Sequence, residues 1–143
     1  MKYLGIDYGS KRVGIAVSDL GGRFALPKKV IRNGGSAAAM AALVVEIVAL
    51  AAEEKVSEIV MGESKDFSGN ENPIMAAAKA FALELRTATG MPVHMEPEFM
   101  TSHQAERTQH ELGGSREMLD ASAAAVILQS FLDRERDDAD LGE

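Results

Sequence analysis

The 143 residues contain neither cysteine nor tryptophan. Without cysteine there is no disulfide framework, no thiolate nucleophile and no cysteine-ligated zinc, and the composition fits a reducing compartment, with cytoplasm as the default expectation. Long apolar runs are missing too. No stretch of eighteen apolar residues lacks a charge, and Asp7 arrives too early for a signal-peptide apolar region, so neither export nor a membrane partner is expected. Positive charge is also scarce. Fifteen Lys and Arg stand against 22 Asp and Glu, giving a net charge of −7, which argues against a broad electrostatic grip on a polyanion. Part of that excess lies at the end, where Arg134 and Arg136 are outnumbered by Glu135, Asp137, Asp138, Asp140 and Glu143. Residues 137–143 therefore read as a disordered acidic tail behind a single domain spanning 1–136.

What is present is an ordinary globule: 46% hydrophobic and 26% charged residues, in a chain long enough for one core and too short for two catalytic domains. Tyr3 to Tyr8 is a short apolar run, Gly9-Ser10-Lys11-Arg12 a turn, and Val13 to Ser18 a second strand. Another turn at Asp19 to Gly22 leads into a third strand from Arg23 to Ile31, with Pro27 marking an edge or an irregularity. Ser36 is placed to cap a helix from Ala37 to Glu54, where Met40, Leu43, Val44, Ile47 and Leu50 recur at three- and four-residue steps. A buried strand at Glu58 to Gly62 follows. Pro73 opens a helix that Gly90 ends. Pro92 to Glu96 is a last short strand, and helices from Ser102 to Leu112 and Asp120 to Arg134 close the chain. The order βββαβαβ then αα predicts an α/β fold, a mixed five-stranded sheet with helices on both faces.

In this layout Asp7 sits in the C-terminal half of the first strand, where a charge is costly unless compensated. It either bonds the Gly9-Ser10 turn or does chemistry. Asp120 either caps the last helix or joins Asp7, and Glu98, just past the last strand, reads locally as a solvated loop acid. Together the three could meet at one end of the sheet. Clustered carboxylates repel one another unless a cation neutralises them. Mg²⁺ favours oxygen ligands, and ions about 3.5–4 Å apart can activate water and stabilise a leaving oxygen. That chemistry is phosphodiester hydrolysis. Lys11 and Arg12 could hold substrate phosphates beside Asp7 or simply solvate a hairpin tip. Thr101 could donate to phosphate, while Ser102 suits a helix cap. His94, His103 and His110 lack a short metal-binding spacing and are assigned no chemistry.

The stretch Leu4-Gly5-Ile6-Asp7-Tyr8-Gly9-Ser10-Lys11-Arg12-Val13-Gly14-Ile15-Ala16-Val17-Ser18-Asp19 closely resembles the opening motif of the YqgF (RuvX) family. Leu119 to Asp133 resembles that family's C-terminal helix motif. The resemblance implies an RNase H-like fold akin to Holliday-junction resolvases, and a nuclease of 5′-end maturation of pre-16S rRNA or of branched DNA, using Mg²⁺ or Mn²⁺. It makes Asp7 and Asp120 the first and last metal-binding acids and Glu98 the acid between them. The family's Asp-Glu-Arg-Leu-Thr-Thr pattern stands here as Pro97-Glu98-Phe99-Met100-Thr101-Ser102, so an arginine is lost and Glu96 becomes a candidate substitute. The Gly-Leu-Pro element is altered to Gly62-Glu63-Ser64, which offers Glu63 as an additional ligand or a loop acid. Two-fold junctions would suit a homodimer.

Two other readings remain open on the residues. Asp7-Tyr8-Gly9-Ser10 is similar to the phosphate hairpin of actin-like and sugar-kinase ATPases, although no second glycine-rich hairpin or Walker pattern accompanies it. A catalytically silent nucleic-acid-binding protein with the same fold is suggested by Pro97, Phe99 and the acidic charge.

Overall fold

The computed structural model describes residues 1–64, 73–98 and 116–141. Five strands, β1 (Tyr3–Tyr8), β2 (Arg12–Ser18), β3 (Ala25–Arg32), β4 (Glu58–Ser64) and β5 (Val93–Glu98), form one sheet in the order β3-β2-β1-β4-β5. The β1–β2 and β2–β3 pairs are antiparallel, whereas β4 runs parallel to both β1 and β5. The mixed sheet expected from the meander and its helical crossovers is therefore present. Helices α1 (Ala37–Glu54) and α2 (Pro73–Thr89) precede β4 and β5, and α3 (Arg116–Leu141) ends the described chain.

Strand alternation sorts the side chains between two cores. Leu4, Ile6, Val13, Ile15, Ile59 and Met61 enter the larger one, closed by Leu43 and Ile47 of α1 and by Phe81 and Leu85 of α2. Ala16 and Val60 enter the smaller, closed by Ala124, Ile127, Leu128 and Phe131 of α3. Helices thus cover both faces.

The local signals act as their chemistry requires. The Ser36 side chain accepts from Ala39 N–H at 3.0 Å, satisfying an otherwise orphaned donor at the start of α1. Gly90, at φ 71°, ends α2 and donates to the Arg86 carbonyl at 2.9 Å. Pro27 lies on the edge strand beside a register shift between Ile15 and Ala16. The shift presents both Lys28 and Lys29 to α1, where they pair with Glu54 at 2.8 Å and Glu46 at 3.5 Å. Asp19 closes the β2–β3 turn by accepting from Arg23 and Phe24 N–H at 2.7 and 3.0 Å. Those backbone donors, Phe24 first, hold its carboxyl below the usual range.

Several expectations need correction. Asp120 does not cap the last helix, because α3 starts four residues earlier at Arg116; a cap precedes the first turn, and position 120 already lies inside it. The expected disordered tail is helical as far as Leu141, since extending an established helix adds one hydrogen bond per residue fixed. Both β4 and β5 run two residues further than read, taking Glu63 and Glu98 into strands rather than loops; each gains a ladder partner by continuing. The helix expected from Ser102 to Leu112 lies outside the described residues.

The closest packing falls at Gly5. A Cβ there would stand 2.8 Å from Leu128 Cβ and 3.1 Å from the Ala124 carbonyl oxygen, so α3 rests directly on the β1 backbone. We expect Gly5→Ala to destabilise the protein by about 1–3 kcal/mol through this overpacking, measured by urea unfolding; an unchanged midpoint would show that α3 yields freely.

Candidate active site

Because Leu4 and Ile6 enter the α1–α2 core, Tyr3, Gly5 and Asp7 are left to the α3 face. Tyr3 meets the Phe131 ring edge-on at 5.7 Å, and Gly5 lies under Ala124 and Leu128. Ascending β1 therefore means descending α3. Each two-residue strand step is about 6.7 Å and each four-residue helix step about 6 Å, so the next step brings helix position 120 alongside Asp7. Asp7 itself is half-buried. Its β2 partner is Gly14, which has no side chain to fill the space beside it.

On the other side, the β1–β4 ladder pairs Ile6 with Met61, and the β4–β5 ladder pairs Gly62 with Glu96 and Ser64 with Glu98. The C-terminal ends of β1, β4 and β5 thus finish together at one edge. Glu98 is the last residue of β5, at a position of the same strand parity as Glu96 on the α3 face. Glu63 has the parity of Ile59 and Met61, which puts it on the opposite face from Asp7. Strand ends and parity thus put Asp7 and position 98 at one end of one face and Glu63 on the other face. Thr101, His103 and His110 lie outside the described residues.

Glu96 is only 2% exposed. Arg134 Nη2 stands 2.7 Å from its Oε1, an ion pair by distance that lacks the alignment of a hydrogen bond. Burial pushes the Glu96 carboxyl upward, while Arg134 opposes that rise. The pair ties the C-terminal half of α3 to β5, so Glu96 is a fastening rather than a replacement for Glu98. At the far end of the same face, His94 Nε2 lies 2.5 Å from Glu58 Oε1, and its ring rests 4.9 Å from that of Phe131.

Lys11 and Arg12 sit where the β1–β2 hairpin turns, at the same end as Asp7. Gly9 N–H donates to the Arg12 carbonyl at 3.0 Å, and a Cβ on Gly9 would lie 2.5 Å from that oxygen; the turn demands glycine. Asn33, which the sequence reading passed over, locks the hairpin. Its backbone N–H donates to the Lys11 carbonyl at 2.8 Å, its Nδ2 donates to the Gly9 carbonyl at 2.8 Å, and its Oδ1 accepts from Gly35 N–H at 3.1 Å. The available signal was an Asn before two glycines, a pattern that favours side-chain-to-backbone bonds in turns.

Comparison with known proteins identifies the fold and the family. The Thermus thermophilus RuvC, solved in complex with a Holliday junction substrate, superposes with a TM-score of 0.64 at 16% identity, covering 95% of this chain and 96% of that one. The fowlpox virus Holliday junction resolvase gives 0.58 at 11% identity, covering 94% and 99%. The protein thus has the RNase H-like fold of these resolvases. The RuvX family, described as Holliday junction resolvase, matches residues 1–134; the chain belongs to that family. A protein of Nitratidesulfovibrio vulgaris is 38% identical over 136 residues, covering 92% of this chain and 93% of its own length. One from an Anaeromyxobacter species is 39% identical over 137 residues, covering 93% and 97%. Both carry the name "Putative pre-16S rRNA nuclease".

Asn33→Ala removes two side-chain hydrogen bonds and strands the Gly9 carbonyl. Its expected cost is about 1–3 kcal/mol in thermal or urea unfolding, and an unaltered stability would mean the hairpin holds its shape unaided.

Proposed function

We propose that this protein is a metal-dependent endonuclease that hydrolyses phosphodiesters in structured nucleic acid, with 5′-end processing of pre-16S rRNA as its task. The observation that supports the reading is the opposed register of β1 and α3, with Phe131 over Tyr3 and Ala124 and Leu128 over Gly5; continued by one step, it would set position 120 beside Asp7. A strand acid and a helix acid at one sheet end, with Glu98 at the end of β5, form a donor set of carboxylate oxygens alone. Such a set fits Mg²⁺ or Mn²⁺. Among the described residues no three acids or histidines form a ready cage, so the set depends on positions 98 and 120. Glu63, on the opposite face, is left out.

Asp7, Glu98 and Asp120 would hold the ion, which when bound supplies an activated water and neutralises charge on the phosphate. The protein's own part is positioning. The sheet fixes Asp7 and Glu98, α3 brings Asp120 against β1, and Lys11, Arg12 and Thr101 contact the substrate backbone without reading its sequence. Cation binding also lessens the repulsion that a net charge of −7 offers an incoming phosphate. Cytoplasmic work on ribosomal precursors suits a cysteine-free chain; among the described residues no helix is long and apolar enough to cross a membrane.

A second reading, cleavage of branched DNA, is favoured by the likeness to a RuvC solved on a Holliday junction. On such a two-fold substrate the active form would be a homodimer. One assay decides between them: labelled pre-16S rRNA and four-way DNA junctions incubated with the protein and Mg²⁺ or Mn²⁺, beside Asp7→Asn and Asp120→Asn. The expected result is metal-dependent cutting of the RNA, reduced at least about a hundredfold in either variant. Preferred cutting of junctions would establish the second reading. No cutting by folded wild-type protein would leave a nucleic-acid-binding protein without catalysis.

A further inference from the structure

A pocket of about 220 Å³ opens where the β1–β2 hairpin, the segment following β3 and the first turns of α1 and α2 meet. All of these lie at the C-terminal end of β1, so the pocket shares the sheet end at which Asp7 stands. It belongs to the other face. Tyr8 follows Asp7 about 3.3 Å further along the strand, and its side chain turns to the α1–α2 core rather than to α3. There its ring rests 5.0 Å from that of the buried Phe81, which fixes it as one wall. Met40 of α1 and Ile74 and Ala77 of α2 supply further apolar lining, while the exposed Ser10 and Ser36 put hydroxyls at the mouth. Ser36 Oγ accepts from Ala39 N–H, which leaves its O–H to donate. Asn33, through its bonds to Gly9 and Gly35, holds the polar side in place.

Three properties select the occupant. At about 220 Å³ the pocket falls below the roughly 300–1,000 Å³ of sites that take drug-sized ligands, so it accommodates one ring system and not a whole nucleotide. No charged side chain is among the described residues lining it, so its occupant is neutral and not a phosphate. An aromatic wall, apolar sides and a polar mouth match a nucleobase, which has flat faces and a hydrogen-bonding edge. Unstacked bases of RNA are recognised by such stacking and edge contacts.

We infer that this pocket takes one unpaired base of the substrate, splayed out of its stack against Tyr8 while the backbone of the same strand passes over the sheet end beside Asp7. Tyr8 supplies the stacking surface, and Ser10 and Ser36 meet the edge of the base. Stacking of this kind grips nucleic acid without relying on its phosphates, which suits a chain with a net charge of −7. The inference rests on the nuclease reading for the identity of the strand, while the pocket's preference for a base rests on its lining.

The test is binding by the full chain, without divalent metal, of an RNA hairpin with one bulged adenosine and of the same hairpin with an abasic site at the bulge. Wild type, Ala77→Leu and Tyr8→Leu are compared. Leucine at position 77 fills the pocket from α2 and is a strong helix former, whereas Tyr8→Leu removes the ring, so either variant carries the test if the other does not fold. Wild type is expected to bind the bulged base about tenfold more tightly than the abasic hairpin, as one base–aromatic stack would give, and the variants to bind both hairpins alike. Equal binding of the two by wild type, or a preference that survives in a folded variant, would overturn the pocket and leave the nuclease reading standing. If wild type binds no RNA at all, a pre-16S rRNA fragment included, the nuclease reading falls and adenosine alone decides. A rise in wild-type melting temperature that the variants lack would uphold the pocket; no rise, or one that the variants share, would overturn it.

Discussion

The structure depends on the close approach of α3 to β1 at Gly5. A side chain at that position would overlap Leu128 Cβ and crowd the Ala124 carbonyl, so only glycine lets the helix lie on the strand backbone. The contact does more than fill a core. With Phe131 against Tyr3 on one side, it fixes both the direction and the phase of α3 along β1. Fastenings elsewhere hold the same alignment. Arg134 pairs with the buried Glu96 on β5, and Gln129 accepts from Ala25 N–H and donates to the Arg23 carbonyl at 2.8 and 2.9 Å beside β3. The helix is pinned at both flanks of the sheet.

Two unequal cores follow from this arrangement. The α1–α2 side carries the large aliphatic residues and most of the hydrophobic burial. The α3 side is thinner, built on Ala16, Gly5 and Val60 under Ala124, Ile127, Leu128 and Phe131, and it carries the ion pairs of Glu58 with His94 and Glu96 with Arg134. A site on rigid strands and a tightly seated helix is better preorganised than one built on loops.

Much of this was legible in the sequence because the signals were local. Alternation in Tyr3 to Ser18, the Ser36 cap, Pro73 at a helix start and Gly90 at its end each act within one or two turns of chain. The element order then limited the topology. Asp7 stood out because a carboxylate inside an apolar strand is costly. What remained hidden was set by tertiary contact. The ends of β4 and β5 depend on each other's ladder, so Glu63 and Glu98 read as loop acids. The start of α3 masked itself, because an aspartate before an alanine run imitates a cap. That Glu63 lies on the wrong face required knowing where β4 ends. The role of Asn33 spans 24 residues to Gly9, a separation no local pattern encodes.

We propose that the sheet and α3 bring Asp7, Glu98 and Asp120, distant in sequence, to a single candidate centre in which Asp7 and Asp120 serve one ion. The direct test is a double-mutant cycle on Mn²⁺ affinity, measured by titration calorimetry for wild type, Asp7→Asn, Asp120→Asn and the double variant. Shared ligation predicts a large loss in each single variant and little further loss in the double, the strong coupling of groups with a common partner. Additive losses, or Mn²⁺ binding that ignores either substitution, would contradict it.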